Sequence, residues 1–414
     1  MFKRIPGTKD ILPEEVHLWQ KIEETSRTIF SLYNYQEIRV PILEEVSLFS
    51  RSLGETTEIV QKQMFLIPHQ NETYAMRPEG TASIVRSYIE NNLDKTTGFI
   101  KLYYIGPMFR LERPQKGRLR QFHHIGVEAI GSGSAELDVE VISLADTLLK
   151  TFLIEGFTIK LNNLGCPADK KNLVDQLRSA LKDKTGELCE DCQERYNTNI
   201  LRILDCKNDS CKETVRKLDI QDAYLCADCK THFAKVKDGL NNLNIRYEVA
   251  PHLVRGLDYY TGTVFEITHQ DLGAQDALGA GGRYNALVKE LGGPDTASVG
   301  FAFGVERLLL LTKLAAETPA RKLAYLITLG DTARIEGLKL LNNLRGIGIA
   351  CDTDYEGKSL KGAMRTANDL KACCVLILGE DELKKNIITL KNMANGEQKE
   401  INLTDLIMEL KKIC

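Results

Sequence analysis

The sequence predicts a mixed α/β protein of the α+β kind, with an antiparallel-sheet core, a helical insertion and a separate C-terminal α/β module. Three observations carry this. Residues 101–110 (KLYYIGPMFR) and 119–130 (LRQFHHIGVEAI) alternate apolar and polar about a charged turn, and read as antiparallel partners. Between Cys166 and about Leu243 the composition becomes polar, helical and cysteine-bearing. Beyond residue 322 strands and helices alternate, as in a sheet with right-handed crossovers. The expected division is a core at 1–165, an insertion at 166–243, a resumed core at 244–318 and a C-terminal domain at 322–414.

At 414 residues the chain has room for two or three domains, and 43% hydrophobic with 27% charged residues is ordinary for a soluble globular protein. A net charge of −3 excludes a global basic signature, so any RNA contact must use local patches. The N-terminal MFKRIPGTKDILPEE has no apolar h-region, and apolar stretches such as 305–311 are too short to span a bilayer. The expectation is a cytoplasmic protein without membrane attachment, its eleven cysteines mostly reduced.

Taken in order, Pro6, Gly7 and Pro13 punctuate an irregular start. Val16, Trp19, Ile22, Ile29 and Leu32 then give helical spacing over 16–32. YQEIRVPILEE reads as a short strand interrupted at Pro41, and runs at 64–67 and 74–77 bracket a hairpin turn at Asn71. Glu79, Gly80 and Thr81 follow, where a strand hands over to a helix. Polar groups at such a junction can hold a small zwitterion, the carboxylate taking its ammonium. Simple helix capping by Thr81 accounts for them equally well.

In the hairpin loop 111–118, Pro114 and Gly117 suit a flexible turn. Arg110, Arg113, Lys116, Arg118 and Arg120 place five cations within eleven residues, against the single acid Glu112. That density suits a polyphosphate, the alternative being a solvated basic hairpin. Strand parity puts Gln121, His123, Ile125, Val127 and Ala129 on one face, and Arg120, Phe122, His124, Gly126 and Glu128 on the other. The second set is wrong for a core, because buried charge needs a partner, and right for a polar ligand.

An amphipathic helix is expected over 136–152 and a strand over 157–162. The insertion carries Cys189-x2-Cys192, Cys206-x4-Cys211 and Cys226-x2-Cys229. Such pairs either grip a structural zinc or stand as unligated thiols, and no catalytic or substrate-binding role is assigned to a metal. Residues 261–267 alternate like a strand, preceded by RGLDYY with Arg255, Tyr259 and Tyr260. Arg255 and Tyr260 have opposite parity, so a break near Gly256 is required if both serve one site. GAGGRY at 279–284 offers glycines for close backbone approach to a ligand. In SVGFAFGVER, Val299, Phe301 and Phe303 point to a core, while Ser298, Gly300, Ala302 and Gly304 leave a shallow floor. Arg307 falls in the first turn of a following helix, an unfavourable place for a cation that calls for an anionic partner. After a linker near 317–321, strands are expected at 323–329, 347–351 and 373–378, helices at 332–344 and 359–370, then two more strands and a helix at 403–412.

FRLERPQKGRLRQFHHIGVEAIG resembles motif 2 of the class II aminoacyl-tRNA synthetases, in its histidyl-tRNA synthetase form. YQEIRVPILEE resembles motif 1, SVGFAFGVER motif 3, and RGLDYYTG the histidine-specific signature, so the resemblance covers nearly the whole chain. It implies a class II antiparallel catalytic domain and a C-terminal anticodon-binding domain. It implies a homodimer that joins L-histidine to tRNA(His) through histidyl-adenylate, using ATP with Mg²⁺.

Carried over residue by residue, the resemblance implies catalytic roles for Arg255 and Arg110. Arg110 holds the α-phosphate and substrate carboxylate, and Arg255 supplies charge across the reacting centre. Glu112 orients adenine, Phe122 stacks on it, and Arg118 and Arg307 engage the outer phosphates. Glu79 and Thr81, with His124 beside them, take the α-ammonium, Glu128 and Tyr260 the two imidazole nitrogens, and Gly80 and Tyr259 belong to the same histidine-binding set. Glutamine is usual in the family where this chain has His124. The rival is a non-catalytic histidine-binding regulatory subunit of ATP phosphoribosyltransferase, which lacks the C-terminal module.

Overall fold

The computed structural model describes residues 2–218, 220, 222–273, 275–315 and 322–413. The chain divides into two compact units, Met1–Ala316 and Glu317–Cys414. The expected linker at 317–321 lies outside the described residues.

The larger unit is built on an eight-stranded sheet. Its spatial order is Gln36–Glu37, Ile100–Phe109, Gln121–Ile130, Ser298–Gly304, Ala277–Arg283, Thr261–Thr268, Thr158–Asn163, Glu248–Val249. All pairings are antiparallel except those of the two edge dipeptides. The central hairpin is in continuous register from Ile100 opposite Ile130 to Phe109 opposite Gln121. Its two strands are the alternating runs of the sequence, shortened at the turn end where charge displaces alternation.

One face of this sheet is apolar. Ile125, Val127, Ala129, Val299, Phe301 and Phe303 form a continuous core with Trp19, Ile22 and Ile29 of helix Pro13–Leu32 and the apolar stripe of helix Ala135–Thr151. Covering that face commits the alternate residues of each strand to the opposite side, where the polar set is displayed.

YQEIRVPILEE is not one strand. Gln36–Glu37 joins the large sheet, whereas Leu43–Glu45 pairs with Glu72–Met76 in a three-stranded sheet completed by Phe65–His69. Pro41, lacking an N–H, separates the two pieces.

The insertion is helical: Pro167–Leu181, Glu190–Thr198, Asp209–Arg216 and Ala227–Asn242, with short 3₁₀ turns between. It is less polar inside than its composition suggests. Leu173, Leu177, Leu181, Ile200, Ile203 and Leu225 are buried in the same cluster as Tyr104 and Val264.

The C-terminal unit is a five-stranded sheet in the order Cys351–Thr353, Ala324–Leu329, Cys374–Gly379, Ile387–Asn392, Gln398–Asn402. The first three strands are parallel and the last two antiparallel. Helices Asp331–Gly346, Leu360–Asp369 and Leu406–Ile413 accompany it. The strand expected at 347–351 begins only at Cys351. Helix Asp331–Gly346 runs on further, and Gly348 at φ 84° turns the chain before pairing starts.

Candidate active site

On the polar face of the large sheet lies a cavity of about 200 Å³. Twelve of the thirteen residues singled out from sequence line it: Glu79, Thr81, Arg110, Glu112, Arg118 and Phe122, with His124, Glu128, Arg255, Tyr259, Tyr260 and Arg307. Gly80 is set back. A Cβ there would meet the Tyr104 ring at 2.5 Å, so the ring covers this position. A second, wider cavity of about 850 Å³ shares Arg110, Glu112, Arg118 and Arg255 with the first.

The junction before helix Thr81–Glu90 is organised by carboxylates. Glu79 accepts the backbone N–H groups of Thr81 at 2.7 Å and Ala82 at 2.8 Å, satisfying donors at the start of the helix. Capping therefore belongs to Glu79, not Thr81. The Thr81 hydroxyl is free to donate to Glu128 Oε1 at 2.7 Å, while Tyr284 donates to Glu128 Oε2 at 2.6 Å. Glu79 and Glu128 are only 4% and 1% exposed, and neither faces a cation at salt-bridge distance among the described residues. Burial pushes the Glu79 carboxyl above its ordinary value, against the pull of the two N–H groups. Burial pushes Glu128 to about 8, opposed by its two hydroxyl donors.

Aromatic side chains wall this end. Tyr259 lies 4.7 Å from Tyr260 and 5.8 Å from Tyr284 between ring centroids. Burial holds the Tyr260 phenol at about 12, with Arg255 pulling the other way, so it remains a neutral donor. His124 is pushed down to about 3 by burial and by the cations Arg110 and Arg77. Its ring is therefore neutral, and its buried Nδ1 has no hydrogen-bond partner among the described residues.

Cations line the same cavity. Arg110 donates from Nε to Pro78 O at 2.9 Å and sits 5.3 Å over the Phe122 ring. Glu112 lies 3.1 Å from Arg118 and 3.6 Å from Arg110. Arg255 Nη1 donates to Glu266 at 2.6 Å; burial, the largest single effect, lowers its pKa, but Glu266, Tyr260 and Asp205 together hold it above its ordinary value. Residues 252–260 make no strand, so the parity conflict between Arg255 and Tyr260 is resolved by an extended irregular turn, not by Gly256 alone.

Arg307 has no carboxylate partner within salt-bridge distance among the described residues. Its guanidinium donates to the backbone carbonyls of Gly117 at 3.1 Å, Gln275 at 2.9 Å and Ala277. Burial and the neighbouring Arg118 cation lower its pKa.

Several sequence readings change. Arg120 turns away from the cavity, and its backbone N–H and Nη1 bind Gly7 O and Pro6 O at 2.7 and 3.3 Å, anchoring the N-terminal segment. The gap left by Gly126 is filled by Tyr104, and that at Gly300 by the Glu128 carboxylate. Gly279 and Gly281 make room for Phe303 and for Phe301 with Phe265, so both serve sheet packing, and Gly279 also lines the cavity. Tyr104 and Tyr284 are cavity residues that sequence reasoning missed. Counting back by twos from Arg110 would have put Tyr104 on the site face.

A family model described as histidyl-tRNA synthetase matches residues 7–308, and one described as an anticodon binding domain matches residues 324–413. The histidine–tRNA ligase of Thermodesulfovibrio yellowstonii is 45% identical over 98% of this chain and 97% of its own length. That of Thermosipho melanesiensis is 46% identical over 97% of this chain and 96% of its own. The crystal structure of the apo S. aureus histidyl-tRNA synthetase superposes with a TM-score of 0.81 at 36% identity, covering 99% of this chain and 100% of that one.

Proposed function

The chain belongs to the histidyl-tRNA synthetase family, and from that premise we infer that it ligates L-histidine to tRNA(His) at the expense of ATP. A histidine carboxylate oxygen attacks the α-phosphorus of ATP. The bond to the β-phosphate oxygen breaks, pyrophosphate leaves, and histidyl-adenylate passes its acyl group to the terminal ribose of the tRNA. The observation that carries this reading is one cavity lined both by buried carboxyl and phenol groups and by four arginines.

The chemistry needs positioning and charge stabilisation more than covalent catalysis. Arg110 and Arg255 meet the charge that develops on the α-phosphate. Arg118 and Arg307 take the outer phosphates, the Arg307 guanidinium being held by backbone carbonyls and by no carboxylate at salt-bridge distance among the described residues. Phe122 and Glu112 receive the adenine. Glu79, Thr81 and neutral His124 receive the α-ammonium; Tyr259 and Tyr260 close over the substrate.

Specificity follows from burial. Glu128, with a pKa of about 8, can accept from or donate to an imidazole nitrogen near neutral pH, and the Tyr260 phenol serves the other nitrogen. An amino acid without two polar ring positions leaves one of these groups unpaired, which can cost roughly 10⁴- to 10⁵-fold in selectivity.

The carboxylates of this cavity are engaged by neighbours, Glu306 by the backbone N–H and ring of His123 and the others as described above. Mg²⁺ would therefore enter on the phosphates of ATP with water in its remaining positions. Its contribution there is to neutralise phosphate charge.

The C-terminal unit is assigned to the tRNA anticodon, and the working form to a homodimer in the cytoplasm. The regulatory-subunit alternative makes no use of the phosphate-facing arginines or of that unit. Pyrophosphate exchange measured over a panel of amino acids tests the reading. Exchange with histidine alone is expected; exchange with no amino acid would leave the regulatory role.

A further inference from the structure

The insertion gathers four sulfur atoms from separate pieces of chain. Cys189 and Cys192 stand at the start of helix Glu190–Thr198, Cys206 follows a 3₁₀ turn, and Cys211 lies in the first turn of helix Asp209–Arg216. Their Sγ atoms all lie within 4.8 Å of one another, and Cys189 Sγ is 3.8 Å from Cys206 Sγ. None of the four is in a disulfide. A tetrahedral zinc with Zn–S bonds of about 2.3 Å holds its sulfurs about 3.8 Å apart. A disulfide would require about 2.05 Å.

Donors are aimed at two of the four sulfurs. The backbone N–H of Cys189 donates to Cys211 Sγ at 3.2 Å, and Arg195 Nη1 approaches Cys192 Sγ at 3.8 Å. Three of these cysteines are buried, and buried cysteine can act as a small apolar side chain. Apolar packing has no need, however, for sulfur at all four converging positions. Leucine and alanine would fill the same space without thiols at reactive distance.

We propose that Cys189, Cys192, Cys206 and Cys211 bind one structural zinc ion. The pairs Cys189-x2-Cys192 and Cys206-x4-Cys211 supply the ligands from two loops that are otherwise held by short helical turns. The ion fixes the segment between them, which is in direct contact with the active site. Asn199 of that segment donates to Asp258 at 3.2 Å, and the Arg202 guanidinium lies over Gly256, beside Arg255. Cys189 and Cys206 themselves line the wider cavity that contains Arg118 and Arg255. The metal is thus a brace for one wall of the cleft and takes no part in the chemistry.

A second quartet, Cys166, Asp169, Cys226 and Cys229, also has its ligand atoms within 4.8 Å of one another. There the Asp169 carboxylate already accepts the N–H groups of Cys166 at 3.2 Å and Cys226 at 3.0 Å, which assigns it to capping and bracing the chain.

The test is elemental analysis of the full-length chain purified without chelator and dialysed against metal-free buffer. About one zinc per chain is expected. A Cys192→Ser/Cys206→Ser variant should lose it, and a Cys226→Ser/Cys229→Ser variant should keep it. Substitution of cobalt into the unaltered chain gives an independent readout if the first variant fails to fold: intense sulfur-to-cobalt charge-transfer absorption of a tetrahedral thiolate site is expected. Metal-free protein that takes up no cobalt overturns the proposal. So does zinc that persists in the Cys192→Ser/Cys206→Ser chain and is lost from the other.

Discussion

The hydroxyl of Thr81 donates to Glu128 Oε1 at 2.7 Å across 47 residues of sequence. This bond joins the first turn of a helix to the centre of the sheet. With the Thr81 N–H on Glu79, it brings two buried carboxyl groups to one residue. A pair so placed responds to protonation, and the folded state should report it.

Glu128 is raised from 4.5 to about 8 in the folded chain. Between these values the folded state holds a proton that the unfolded state releases, so stability falls as pH rises from about 4.5 to about 8. The slope is roughly 1.4 kcal/mol per pH unit. Glu128→Gln should remove this slope. Denaturant unfolding of the ligand-free chain at several pH values checks it, and identical pH profiles for variant and parent would contradict the shift.

His124 works in the opposite direction. Its folded value of about 3 lies below the ordinary 6.5, so the unfolded state binds a proton that the folded state refuses. Stability should therefore fall as pH drops from about 6.5 toward 3, opposing the Glu128 slope between about 4.5 and 6.5. His124→Gln should flatten the acid side. Because one neutral acceptor replaces another, its KM for histidine should change by less than about tenfold. A larger change would show that the imidazole has acquired a role of its own.

Arg255→Ala should lower adenylate formation by about two to three orders of magnitude, as loss of a group facing transition-state charge does elsewhere. Pyrophosphate exchange measures this. Exchange near that of the parent chain would refute the assignment. Since Glu266 loses its cation in this variant, its thermal midpoint should be read alongside.

Asp138 lies beneath the sheet, 2.7 Å from Arg283 Nε, with Thr263 at 3.1 Å and His232 of the insertion at 2.5 Å. Asp138 and Arg283 are both almost fully buried. Asp138→Ala leaves the guanidinium without compensation, a loss of about 3 to 5 kcal/mol by comparison with other broken buried pairs. Calorimetry should show a clear fall in Tm; an unchanged Tm would mean that solvent reaches the arginine.

Much of this architecture was legible in the chain. The alternation of residues 119–130 assigned Phe122, His124 and Glu128 to one face, and the structure has all three lining the cavity. Local pattern shows which way a strand residue points. It does not show what comes to meet it. The Arg307 guanidinium called for an anion by its place at a helix start, yet it found three backbone carbonyls, those of Gly117, Gln275 and Ala277, distant in sequence. The glycines of GAGGRY read as room for a ligand; Gly279 does line the cavity, but the space over Gly281 is taken by Phe301 and Phe265 and that over Gly282 by Thr263 and Val264. Cys166 escaped notice beside Cys226 and Cys229 because proximity across 60 residues is a property of the fold, not of spacing.

Tyr104 lies so close over Gly80 and Gly126 that a methyl group on either would approach its ring to 2.5 Å. The three positions are thus a single heritable unit. A lineage that gains a side chain at either glycine must first shrink the tyrosine, and one that shrinks the tyrosine opens a void between helix and sheet. Among descendants of this chain the trio should persist or change together.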